Sequence, residues 1–245
     1  MGFAFRYSDA VQKLRSVVDS GAVGKIWLIE CHEMNSQFHP TAGRAMTWKG
    51  DPEHAAGGAV FEYGAHILDL ACWLVGPVVD IASCFKTDIA AGPLDDIAAL
   101  TMRHASGAIG THISSWVLAG GFPGIRVTLH GSAGTAEITL DTGREPKGDV
   151  YRLRGLDGAA VEEIRFKPQA SDVVVQRQLA DLIATTTAAT AAISSSGGSA
   201  AVDGDSAAGG GRVRASSLPS VADAAHVQHV LGAALEATTS RVALL

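Results

Sequence analysis

The sequence predicts an α+β fold: a largely antiparallel open sheet with helices packed on one face. Two observations carry that expectation. Seven β-rich runs follow one another between residues 78 and 167, several separated by turn signals such as Ser106-Gly107, Ser132-Ala133-Gly134 and Asp157-Gly158. Turns this tight join antiparallel neighbours, whereas parallel strands need longer crossovers. Helical patterns stand outside this block, at residues 8–20, 58–74 and 221–239, and helices segregated from an antiparallel sheet pack on it as a layer.

Taken in order, Ser8 can cap the first helix, Val11, Leu14 and Val18 recur at helical spacing, and Gly21 stops it. Residues 25–33 (KIWLIECHE) mix β-branched, aromatic and polar side chains as a half-buried strand does. Alternation there puts Trp27, Ile29 and Cys31 on one face and Ile26 and Leu28 on the other. Residues 35–53 form a long polar loop, and long loops inside compact domains are often functional. The second helix is closed by Gly76-Pro77. Strands are then expected at residues 78–87, 96–104, 108–117, 125–130, 135–140, 150–155 and 161–167.

Residues 184–217 are Ala, Thr, Ser and Gly, with only Asp203, Asp205, Arg212 and Arg214 charged. Such a stretch buries too little apolar area to offset chain entropy, so a disordered insertion is expected there. The organisation predicted is one α+β domain over residues 1–183, this insertion, and a C-terminal helix in residues 218–245 returning to the same domain.

Composition bounds the function. At 245 residues and 47% hydrophobic the chain can bury a sizeable core. A net charge of −6 disfavours nucleic acid or an anionic membrane surface as partner. No apolar run reaches the roughly 18–20 residues that span a bilayer, and residues 1–15 lack the layout of a secretion signal. Three cysteines with no CxxC pair fit a reducing cytoplasm better than a disulfide or zinc framework. No GxGxxG stands between a strand and a helix, and no GxxxxGK[ST] occurs, so a dinucleotide phosphate has no glycine loop to sit on.

The segment that carries chemistry is GGAVFEYGAHILDL at residues 57–70. Glu62, His66 and Asp69 stand at i, i+4 and i+7, which places them on one helical face. A carboxylate one turn before an imidazole can hydrogen-bond it, fix its tautomer and raise its basicity. That pair suits proton transfer at a hydroxyl. The same spacing also suits an ordinary surface pair that only stabilises the helix. A metal site would need further ligands, for which His32, His39 and His54 are at hand without a recognised spacing.

Residues 57–76 resemble the GGGxxxDxGxHxxDxxxWLxG segment of the glucose–fructose oxidoreductase / inositol dehydrogenase (Gfo/Idh/MocA) family. Arg6-Tyr7 with the following helix and Gly21-Ala-Val-Gly24, Trp48-Lys49 before the glycines, and the hairpins at His104–Gly110 and His130–Thr135 are similar to its other motifs, in the same order. The resemblance implies the substrate-side domain of an NAD- or NADP-dependent oxidoreductase acting on a sugar or cyclitol. It implies His66 as general acid/base and Glu62 as its orienting partner, one methylene longer than the usual aspartate. It implies Trp48 and Lys49 on a substrate-facing loop, and a homo-oligomer associated through the sheet. The chain begins where the family's second domain begins. The Rossmann domain and the lysine of its Glu-Lys-Pro turn have no counterpart here, so the cofactor is not expected to bind this chain alone. A Rossmann domain acting in trans is one expectation; a non-catalytic sugar-binding or assembly module is the alternative.

Overall fold

The computed structural model describes residues 2–90, 92–118, 124–142, 147–195 and 218–239. A 3-10 turn, Ala4–Tyr7, leads into α1, Asp9–Ser20, whose buried Ala10, Val11, Leu14 and Val17 form its inward stripe. Gly21 ends it in the left-handed region at φ 71°, its N–H bonding back to the last carbonyls, a conformation glycine adopts without strain.

Strand β1, Ile26–Met34, follows. After the loop and the helical segment discussed below come α2, Ala65–Val75, then β2, Val78–Lys86, β3, Ile97–His104, and β4, Ile109–Ser115. The sheet continues with β5, Gly124–Gly131, β6, Gly134–Leu140, β7, Val150–Arg154, and β8, Ala160–Arg165. Two helices close the chain: α3, Ser171–Ser195, and α4, Val221–Thr239.

All eight strands form one sheet in the order β2-β3-β4-β1-β5-β6-β7-β8. Every pairing is antiparallel except β1 with β4, which is parallel. The expected α+β fold with a largely antiparallel sheet is what the chain adopts. One core lies between α1, α2 and the inward residues of β1, β5 and β6, among them Leu14, Ile29, Ile67, Leu70, Val127 and Ile138. A second joins α2 and α4 to β2 and β3 through Leu68, Met102, Val227 and Leu231.

Three sequence expectations are corrected. The residue 184–217 stretch is helical as far as Ser195, because α3 runs on into it. Alanine favours helix without needing a core, and the Thr186 and Thr187 hydroxyls bond back to the Leu182 and Ile183 carbonyls. Residues 196–217 lie outside the described residues. The simple alternation expected in β1 is broken by a bulge between Ile26 and Leu28. Trp27 is left 58% exposed there, while Ile26 packs on the core instead of facing away from it. The expected continuous α-helix over residues 58–74 opens instead with a π-helical turn, Val60–Gly64, before α2.

Candidate functional site

The π-helical turn has a local cause. The buried Asp95 carboxylate accepts the Gly58 N–H (2.6 Å) and the Val60 N–H (2.9 Å), and the Ala59 N–H bonds the Asp95 carbonyl (2.9 Å). A side chain at position 58 would put its Cβ 2.0 Å from the Asp95 carbonyl oxygen, so only glycine fits. The first amides of the helix are thereby held to a buried acid on the segment before β3, and the chain widens by one residue before α2 takes over. Such π turns concentrate at functional sites.

This segment and the end of β1 enclose a cleft of about 770 Å³. Its walls include Glu33 from β1, Asn35 and Gln37 from the loop, and Glu62, Tyr63 and His66 from the helix. Phe5 closes it from the N-terminal turn, its ring edge-on to His66 at 5.3 Å. The Tyr63 hydroxyl donates to Gln37 Oε1 at 3.1 Å. The site is thus a concave surface carrying many donors and acceptors from β1, the loop after it and the helix.

Glu62 and His66 line this cleft together, as their spacing predicts, but Glu62 does not hydrogen-bond the imidazole. It accepts from Lys49 Nζ instead, and His66 Nδ1 is buried without a partner among the described residues. Burial lowers the pKa of His66 and the Glu62 charge partly opposes this, so the imidazole is neutral at neutral pH. Lys49 and Trp48 lie on a 3-10 turn, Trp48–Gly50. They line a smaller recess of about 200 Å³ with His54, Phe61 and Trp116. Glu62 belongs to both hollows, so Lys49 reaches the cleft through that pairing, while Trp48, 59% exposed, stands at the recess.

Asp69 is not at the cleft. Its carboxylate takes a two-point pair from Arg6, Nε to Oδ2 at 2.8 Å and Nη2 to Oδ1 at 2.5 Å, both side chains fully interior. Burial raises the Asp69 carboxyl and the guanidinium opposes it; the paired geometry is that of an ionised carboxylate. The histidines considered as further metal ligands are dispersed. His32 contacts Arg126, His39 caps a 3-10 turn and His54 pairs with Asp51. Among the described residues no group of three His, Cys, Asp or Glu side chains could hold a metal ion.

The residue that the sequence analysis missed is Glu33. It is 8% exposed, and its Oε2 is buried without a hydrogen-bond partner among the described residues. Burial, with the Glu62 charge adding, pushes its pKa up to about 8. Beside it in the sheet stands Ser114, whose buried Oγ is also unpartnered among the described residues. Strand parity held the signal: Glu33 shares its side of β1 with the fully buried Ile29 and Cys31.

The chain thus combines a one-sided open sheet, a single parallel pair within it and a helix-borne imidazole over a polar cleft. The chain belongs to the GFO/IDH/MocA C-terminal domain family, whose model matches residues 11–137, just over half of its length. Solved structures share the fold over almost all of it. An NAD binding oxidoreductase from Klebsiella pneumoniae superposes with TM-score 0.72 at 17% identity, covering 98% of this chain and 64% of that one. Levoglucosan dehydrogenase, in complex with NADH and levoglucosan, gives 0.70 at 18%, covering 98% and 64%. The aldose-aldose oxidoreductase of Caulobacter crescentus, complexed with glycerol, gives 0.69 at 18%, covering 97% and 61%. This chain therefore spans less than two thirds of each. No curated protein matches it.

Proposed function

We propose that this chain is the substrate-binding part of an NAD(P)-dependent sugar or cyclitol oxidoreductase, in which His66 exchanges a proton with a ligand hydroxyl. The observation that carries this is the 770 Å³ cleft itself, where an imidazole, two carboxyl groups, two amides and a phenol converge. That volume lies in the range of small-molecule sites, and the lining matches a ligand rich in hydroxyls. The structurally similar proteins include one complexed with levoglucosan and one with glycerol.

Each residue has a share in the chemistry. The neutral His66 can accept a hydroxyl proton as the carbinol becomes a carbonyl, or return it in reverse. Glu62, held by Lys49, keeps a negative charge beside the imidazole and favours the imidazolium that forms. Glu33, carrying its proton at neutral pH, can donate to a ligand oxygen, and Asn35 and Gln37 offer amide groups to neighbouring hydroxyls. The nicotinamide cofactor supplies hydride acceptance in such reactions. The described residues do not fit its pyrophosphate. The one glycine-led helix start at the cleft has its amides taken by the Asp95 carboxylate, which leaves no positive helix end for an anion. Cofactor binding is therefore assigned to another part of the protein or to a partner chain.

The test is reconstitution. The chain alone should show no nicotinamide-dependent turnover. Joined to an NAD-binding domain it should oxidise a polyol, and His66→Ala should then lower kcat by about a hundredfold or more. The second reading, a sugar-binding or assembly module without catalysis, is favoured by the Glu62 carboxylate being paired to Lys49 and not to His66. A reconstituted protein that binds polyol yet never turns over would establish it. Self-association through the open sheet face and a cytoplasmic location are proposed with the first reading.

A further inference from the structure

The cleft is short of positive charge. Among the described residues that line it, the charged side chains are Glu33, Glu62 and Arg44, and His66 is neutral. Lys49 answers Glu62. Arg44 is exposed and lies over the Phe38 ring at 5.7 Å, so its guanidinium is engaged elsewhere. Glu33, more than nine-tenths buried, has no cation beside it and no hydrogen-bond partner for Oε2 among the described residues. Ser114, next to it in the parallel pair, holds a buried Oγ that is likewise unpartnered among the described residues. A polar group kept inside without a partner costs stability. Burial, with the Glu62 charge adding, makes the fold meet that cost by leaving a proton on Glu33.

We propose that the cleft takes a polyol bearing an amino group, an amino sugar or an aminocyclitol, whose ammonium pairs with Glu33 while a ring hydroxyl faces His66. This rests on the function proposed above. On binding, Glu33 gives its proton to solvent and the ammonium takes its place, so an unpartnered acid becomes a charge-assisted pair. The Glu62 charge is felt at both Glu33 and His66, which sets the three around one ligand and adds to the attraction for a cation. Ser114 is a donor in reserve for the ionised Glu33. An organic ammonium suits the site and a metal ion does not, because no group of three His, Cys, Asp or Glu side chains among the described residues could hold one. A neutral polyol finds in Glu33 one hydrogen-bond donor, and an anionic sugar meets two carboxyl groups. The cationic ligand therefore gains most from the same walls.

The experiment titrates the full chain, followed by NMR, with the 2-, 3-, 4- and 6-amino-deoxyglucoses and 1-amino-1-deoxy-scyllo-inositol, each against its hydroxyl parent. At least one amine should bind more tightly than its parent at pH 7, by about tenfold or more, the scale of one charge-assisted contact. Because Glu33 must lose a proton to make the pair, that advantage should widen by up to about tenfold from pH 6 to pH 7. Glu33→Gln should weaken both ligands and erase the difference between them. Amines that bind no better than their parents, or that keep their advantage in Glu33→Gln, overturn the proposal and leave the polyol site standing. An advantage that stays flat between pH 6 and pH 7, a comparison that needs no variant, overturns it too. A cleft that takes neither amine nor parent overturns both this proposal and the function on which it rests.

Discussion

Lys49 and Glu62 form an ion pair at the boundary between the two hollows, and it takes from His66 the carboxylate that helical spacing would have supplied. His66 is left with one buried ring nitrogen unpartnered among the described residues and with only the longer-range field of Glu62 to support its charge. Its NMR titration should fall below 6.5, and Glu62→Gln should lower it further. A midpoint above 6.5 would show a direct carboxylate partner that the structure does not contain.

Glu33 gives the protein a pH signature. Its folded pKa near 8 lies above the ordinary 4.5, so the folded state binds the extra proton between those values. Stability is unaffected by this group below pH 4.5 and declines as pH rises towards 8, by up to about 1.4 kcal/mol per unit. Glu33→Gln, which keeps the shape and removes the titration, should therefore gain on the native protein steadily across that window in chemical denaturation. A difference that stays flat with pH would mean that Glu33 is ionised in the fold.

His112 acts in the opposite sense. Buried in β4 beneath Gly64, it is held neutral, its pKa pushed down to about 3. The unfolded chain takes up that proton first, near 6.5, so stability falls as pH drops from 6.5 towards 3. His112→Asn should be less acid-sensitive than the native protein in melts at pH 4 compared with pH 7. Equal acid sensitivity would place its protonation elsewhere.

Asp69 should matter more for folding than for ligand. Removing its charge leaves the buried Arg6 guanidinium with only the Asp223 carboxylate, at 3.5 Å, as an anionic partner among the described residues, and breaking a buried pair costs up to about 3–5 kcal/mol. Asp69→Asn should lower the melting temperature sharply with little change in polyol affinity per folded molecule. A well-folded variant that has lost binding would move Asp69 back to the cleft.

The strands were legible because their hydrophobic runs end at Gly-, Ser- and Asp-marked turns, and α2 because its glycines and Gly76-Pro77 bracket it. Periodicity and resemblance singled out His66, Glu62 and Lys49 as candidates, but not who pairs with whom. The Lys49–Glu62 contact depends on how a long loop folds over the helix start, and the Arg6–Asp69 pair joins residues 63 positions apart. Neither distance is encoded in local periodicity. The π turn arises from Asp95, more than thirty residues downstream of the glycines it binds. Glu33 was within reach, since its parity with Ile29 and Cys31 put a carboxyl on the buried side of β1. The helical continuation of α3 was missed because a core was asked for where alanine propensity sufficed.

The most direct measurement is an NMR titration of the purified chain with levoglucosan, myo-inositol and glycerol, following the imidazole signals of its histidines. The account predicts that at least one of these polyols shifts the His66 signals saturably, that those of His39 and His54 stay still, and that Glu33→Gln weakens the binding. Polyols that leave His66 unmoved, or that shift only histidines outside the cleft, would contradict it.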